Sequence, residues 1–117
     1  GSTPVLMAAY SGHEAALRVL VDARADLDQA RGDGRTPAWM AAYRGQEAAL
    51  RVLVDARADL DQARDNGRTP AWRAAYRGHE AALRVLVDAR ADLDQARDNG
   101  RTPAWRAAYR GHEAALR

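Results

Sequence analysis

Gly67-Arg68-Thr69-Pro70-Ala71-Trp72-Arg73-Ala74-Ala75-Tyr76-Arg77-Gly78-His79-Glu80, running on as Ala81-Ala82-Leu83-Arg84-Val85-Leu86-Val87-Asp88-Ala89-Arg90-Ala91-Asp92-Leu93-Asp94-Gln95-Ala96-Arg97, is the stretch from which the rest of the chain can be written. Its Thr-Pro pair recurs at Thr3-Pro4, Thr36-Pro37 and Thr102-Pro103, a period of thirty-three residues. A fixed period in that range marks a stacked array, because one short unit cannot bury its own apolar face and must be covered by its neighbours. The units are 1–31, 32–64, 65–97 and a shortened 98–117, read as one domain. Between the second and third units only four positions differ: Gly32 becomes Asp65, Asp33 becomes Asn66, Met40 becomes Arg73 and Gln46 becomes His79.

Each unit carries its own punctuation. Asp65-Asn66-Gly67-Arg68 is a tight-turn signal, since Asn and Gly tolerate positive φ. Thr69 then serves as helix N-cap, with Pro70 at the first helical position, where a missing N–H costs nothing. Ala71 to Tyr76 form a short first helix, which Gly78 stops. Glu80 opens a second helix at the positive end of its dipole. Leu83, Leu86 and Val87 are the expected core stripe. Glu80 and Arg84 make an i, i+4 ion pair in the favoured order. Ala91 and Leu93 are expected to pack beneath the loop to the next turn.

Composition narrows the function classes. No run of about eighteen apolar residues is present, so no membrane span is expected. No leader segment is visible, Gly1-Ser2 reads as a cloning remnant, and the default location is intracellular. Without cysteine there are no disulfides, thiolate metal sites or cysteine nucleophiles. All eighteen basic residues are Arg, yet the net charge is only +2, because acidic residues are interleaved in every unit. That pattern describes an ion-paired surface rather than the one-signed patch of a nucleic-acid binder.

The pieces Asn66-Gly67-Arg68-Thr69-Pro70, Ala74-Ala75, Gly78-His79, Val85-Leu86-Val87 and Ala91-Asp92-Leu93-Asp94 resemble an ankyrin repeat, at that family's spacing. The resemblance covers nearly the whole chain from Thr3. It implies an all-α, ankyrin-type helix-turn-helix repeat solenoid of about three and a half repeats, with protein–protein recognition as its usual work and no catalysis. The near-identical copies suit a piece of a longer array or an engineered one. Two departures stand out. Ala-Trp replaces the family's Leu-His after Thr-Pro at Ala38-Trp39, Ala71-Trp72 and Ala104-Trp105, a swap in which Trp fills the volume lost at Leu→Ala. Arg24, Arg57 and Arg90 stand where the family usually places a left-handed Gly, which leaves the conformation there open.

The resemblance also implies where a protein partner would sit: on the turn tips and the exposed face of the first helices. The tip positions are Asp33, Arg35, Asp65, Asn66, Arg68, Asp98, Asn99 and Arg101. The helix positions are Tyr43, Arg44, Tyr76, Arg77, Tyr109 and Arg110, with Tyr10 and Ser11 in the first copy. Tyr and Arg are enriched at binding hot spots. The competing reading is a solvated ladder, Tyr on Tyr and Arg on Asp between repeats. Arg73 with Arg77, and Arg106 with Arg110, lie four apart and could hold phosphate or an acidic peptide. Nucleic acid is opposed by the Asp-rich turns.

The remaining polar residues have plainer expected roles. His13, His79 and His112 fall one per repeat without metal-ligand spacing, so capping or packing is expected. The Asp-x-Asp pairs Asp26/Asp28, Asp59/Asp61 and Asp92/Asp94 lack the glycine and terminal Glu of a calcium loop, which favours turn hydrogen bonding. Ser2 and Ser11, the only serines, sit in no nucleophile motif. Neither enzyme activity, nor a metal, nor a cofactor is expected. The alternative function is structural: head-to-tail stacking through uncapped ends, at Leu6 and Leu116, extending into filaments.

Overall fold

The computed structural model describes residues 2–64 and 66–93. Among these residues there are six helices and no strand: α1 (Pro4–Ser11), α2 (Glu14–Asp22), α3 (Pro37–Arg44), α4 (Glu47–Asp55), α5 (Pro70–Arg77) and α6 (Glu80–Asp88). Each first helix starts at a Thr that caps it. The Oγ1 atoms of Thr3, Thr36 and Thr69 accept from the N–H groups of Leu6, Trp39 and Trp72 at 3.1, 3.1 and 3.0 Å. Each stops at a left-handed glycine, Gly12, Gly45 or Gly78, with φ of 73, 68 and 71°. That geometry lets the chain reverse at once into the second helix.

The helix pairs stack in two layers. α1 packs on α3 and α3 on α5; in the other layer α2 packs on α4 and α4 on α6. Small side chains allow the close approach, and Ala41, Ala42, Ala74 and Ala75 are all fully buried. The main core runs continuously through the repeats, with Leu17, Leu50, Leu53, Val52, Leu83, Leu86 and Val85 as its larger members. A second cluster of Leu6, Trp39 and Met40 lies beneath Tyr10 and Tyr43. Trp39 and Trp72 are each 1% exposed, so the indole does fill the space beside the small Ala38 and Ala71.

Two expectations are corrected and one open question is answered. Val87 is 45% exposed and not part of the core stripe; Ala82, Leu83, Val85 and Leu86 carry it. The reason is geometric: α6 is covered by both its own α5 and the preceding α4, so the buried sector is centred on Ala82 and Leu86. Val87 lies about 100° further round than Leu86. Leu6, expected at an exposed end, is fully buried; Met7 (51% exposed) and Val19 (66%) carry that face instead. Leu116 lies outside the described residues. The open question at Arg24, Arg57 and Arg90 is resolved: all three adopt the left-handed region, with φ of 61, 65 and 63°. Each costs about 1–2 kcal/mol relative to glycine's freedom there. The helix end demands that geometry, because Arg57 N–H donates to Val54 and Ala58 N–H reaches back to Leu53.

Candidate functional site

Both described turn tips are built by a side chain two residues before the arginine. Asp33 Oδ1 accepts from the Arg35 N–H at 3.2 Å, and Asn66 Oδ1 from the Arg68 N–H at 3.1 Å. The glycine between them takes positive φ, 89° at Gly34 and 80° at Gly67. Asp33 also meets the Arg35 guanidinium at 3.2 Å and that of Arg64 at 3.9 Å. Partial burial works to raise its pKa. The Arg35 backbone N–H and the charges of Arg35, Arg31 and Arg64 outweigh this, so the carboxyl stays below its ordinary 3.8. Arg64 was not among the expected site residues. Its signal was the Arg that recurs just before each turn, at Arg31, Arg64 and Arg97.

Among the described residues, Tyr10, Tyr43 and Tyr76 do not form the ladder of ring on ring. Tyr43 stacks on Trp39 of its own helix (5.3 Å between ring centres) and Tyr76 on Trp72 (5.0 Å). The link between repeats is a cation on a ring: Arg44 lies 4.4 Å over Tyr10, and Arg77 lies 5.0 Å over Tyr43. A helical pair one repeat apart places each arginine beside the previous tyrosine rather than tyrosine beside tyrosine. Arg44 and Arg77 are exposed, and the three tyrosines are half-buried.

Arg73 differs from its neighbours. It is 9% exposed, and its guanidinium lies 5.3 Å from Trp39, 5.4 Å from Tyr43, 5.3 Å from Trp72 and 5.3 Å from Tyr76. Loss of hydration, followed by the charge of Arg68, lowers its pKa to about 10, which still leaves it charged at neutral pH. Of the other expected positions, Asp65, Asp98, Asn99, Arg101, Arg106, Tyr109 and Arg110 lie outside the described residues, as does His112.

Polar side chains between the layers join the repeats. Gln46 Nε2 donates to the Tyr10 carbonyl at 3.1 Å, and the His79 imidazole occupies the same place against the Tyr43 carbonyl at 3.0 Å. A carbonyl can only accept, so His79 carries its proton on Nε2. Of the two expected roles, capping or packing, His79 takes packing against the preceding repeat, since it makes no side-chain bond at the start of its own helix. Trp39 Nε1 donates to the Arg68 carbonyl of the following repeat at 3.2 Å, so the indole supplies a bond between repeats as well as volume. The Asp-x-Asp pairs form a hydrogen-bonded ladder. Asp59 Oδ1 accepts from the Asp61 N–H, and Asp61 Oδ1 accepts in turn from the Asp92 N–H of the next repeat.

Burial, offset in part by the bond to Tyr43, holds the His79 pKa below the ordinary 6.5, and Arg77 pushes it the same way. The fold therefore favours the neutral ring. Its contribution is fully present above the unfolded-chain value of 6.5 and is lost as pH falls through the lower folded value. His79→Gln, which copies Gln46, is expected to keep the bond and to flatten the fall of the thermal midpoint between neutral and mildly acid pH. The check is the pH series of melting curves for both proteins; parallel curves would contradict the assignment.

A family model described as ankyrin repeats (3 copies) matches residues 39–117, and one described as ankyrin repeats (many copies) matches residues 5–54. No curated protein matches the chain.

Proposed function

The chain belongs to the ankyrin repeat family, whose repeats are generally protein–protein interaction modules and typically not enzymes, and from that premise we propose that it binds a protein partner across its first helices and turn tips. The reading takes 1–117 as one array divided at 31/32, 64/65 and 97/98. The observation that carries it is the alternation along one layer of half-buried tyrosine and exposed arginine, Tyr10–Arg44 and Tyr43–Arg77. Rings held by stacking lose little freedom on binding, and Tyr and Arg are the side chains most often dominant at interfaces. Tyr43→Ala with Tyr76→Ala is expected to abolish capture of proteins that the unaltered chain retains. Arg51→Ala with Arg84→Ala, on the second helices, should leave capture intact. Retention of the same proteins by the tyrosine variant would sink the reading.

A second reading, stacking of one copy on another, is favoured by one comparison. Met7 and Val19 are exposed, whereas their counterparts one repeat on, Met40 and Val52, are 4% and 3% exposed because a repeat of nearly the same sequence covers them. A second copy supplies a cover of that kind. Light scattering over a concentration range decides it: the mass should climb, and Met7→Glu with Val19→Glu should hold it constant.

A further inference from the structure

We propose that Arg73 is a receptor for a side-chain carboxylate of the protein partner, so that an acidic segment docks between the second and third repeats. This deepens the protein-binding reading and rests on it.

Three observations converge on the residue. The first is that its charge is buried without an anion. Arg73 is 9% exposed, its Nε has no hydrogen-bond partner, and among the described residues no carboxylate forms an ion pair with it. A buried charge left unpaired is costly. Four aromatic rings at 5.3–5.4 Å offset part of that cost through cation–π attraction. Cation–π attraction supplies no hydrogen-bond acceptor, so the N–H donors of the guanidinium are not satisfied by the rings.

The second is that packing does not call for arginine there. Met40 occupies the same position in the second repeat, 4% exposed, in an apolar cluster with Leu6 and Trp39. An apolar side chain of similar length fits the site, so the charge at Arg73 adds something other than volume.

The third is the surrounding field. Arg64 lies 5.2 Å over Trp39, Arg68 lies 4.6 Å over Trp72, and Arg77 lies 5.0 Å over Tyr43. The nearby carboxylate, Asp33, is already bonded to Arg35 and Arg64. At the third tip its place is taken by neutral Asn66. Among the described residues, the charges around Arg73 that an incoming anion meets are therefore mostly positive and set against rings. A planar carboxylate matches the edge of one guanidinium with two parallel bonds. A tetrahedral phosphoryl group needs donors from several directions, and the flanking arginines are held against the same rings that surround Arg73.

The test is a titration of the whole chain with a capped hexaglutamate peptide, read by tryptophan fluorescence, since Trp39 and Trp72 flank the guanidinium. Saturable binding is expected, weakened by about tenfold in Arg73→Met and by about threefold or less in Arg77→Gln. Arg73→Met copies Met40, so its circular dichroism and thermal midpoint should hold or rise. Equal affinity in Arg73→Met would overturn the proposal, as would no binding by the unaltered chain. A capped phosphoserine peptide that bound about ten times tighter than hexaglutamate would overturn the choice of carboxylate. Failure here with capture still lost in the tyrosine variant leaves the protein-binding face standing. Arg73-dependent peptide binding with capture unaffected by the tyrosine changes would instead count against that face.

Discussion

Trp39→Ala is expected to lower stability by about 3–5 kcal/mol, the range for removing a large buried aromatic side chain. The indole is 1% exposed, packs with Leu6 and Met40, stacks on Tyr43, and donates from Nε1 to the Arg68 carbonyl. Its removal opens space between two repeats and leaves that carbonyl without its indole donor. Trp39→Phe separates these effects: it keeps much of the volume and loses the hydrogen bond, so a cost nearer about 1 kcal/mol plus a small cavity cost is expected. Urea unfolding followed by circular dichroism measures both. A loss below about 1 kcal/mol for the alanine variant would mean the repeats close over the gap, and that the indole is not what joins them.

The second large effect is at Gly45. Its φ is +68°, and an added Cβ would lie 2.7 Å from His79 Nδ1 and 2.9 Å from Cγ. Gly45→Ala therefore meets two penalties. The left-handed backbone costs about 1–2 kcal/mol, and displacing the imidazole from the Tyr43 carbonyl costs about 1 kcal/mol more. A total of about 2–3 kcal/mol is expected. Gly32→Ala is the control, because nothing lies within 4 Å of an added Cβ there. That change should be within about 0.5 kcal/mol of neutral. Similar losses at the two glycines would show that the close approach at Gly45 does not matter.

What could be read from the sequence was local. Thr caps, Pro at the first helical turn and Gly at the helix end act within a few residues, so one unit determines where its helices begin and stop. The period then dictates that units stack. The contacts between units were harder to read, because they depend on how one helix pair sits on the next. Val87 looked like core until the preceding repeat set which sector of α6 was covered. The tyrosines looked like a ladder of rings until Arg44 and Arg77 were found over them. His79 and Gln46 offered a clue that is clear only in hindsight: both can present an N–H to a carbonyl, and both do. Arg57 left its backbone open because arginine does not prefer the left-handed region, so nothing in its identity announces it.

The bonds between repeats also set how the array yields under load. The His79 contact to Tyr43, the Trp39 bond to Arg68 and the Asp61 bond to Asp92 all cross one interface and share a pull along the stack. Successive interfaces are linked end to end, so each carries the whole of that pull. Such an arrangement gives way one interface at a time, at whichever is weakest, and its neighbours stay loaded. Each unit of thirty-three residues that comes free pays out about 110–120 Å of extended chain. The same period that shapes the fold thus becomes the step length of a molecular spring.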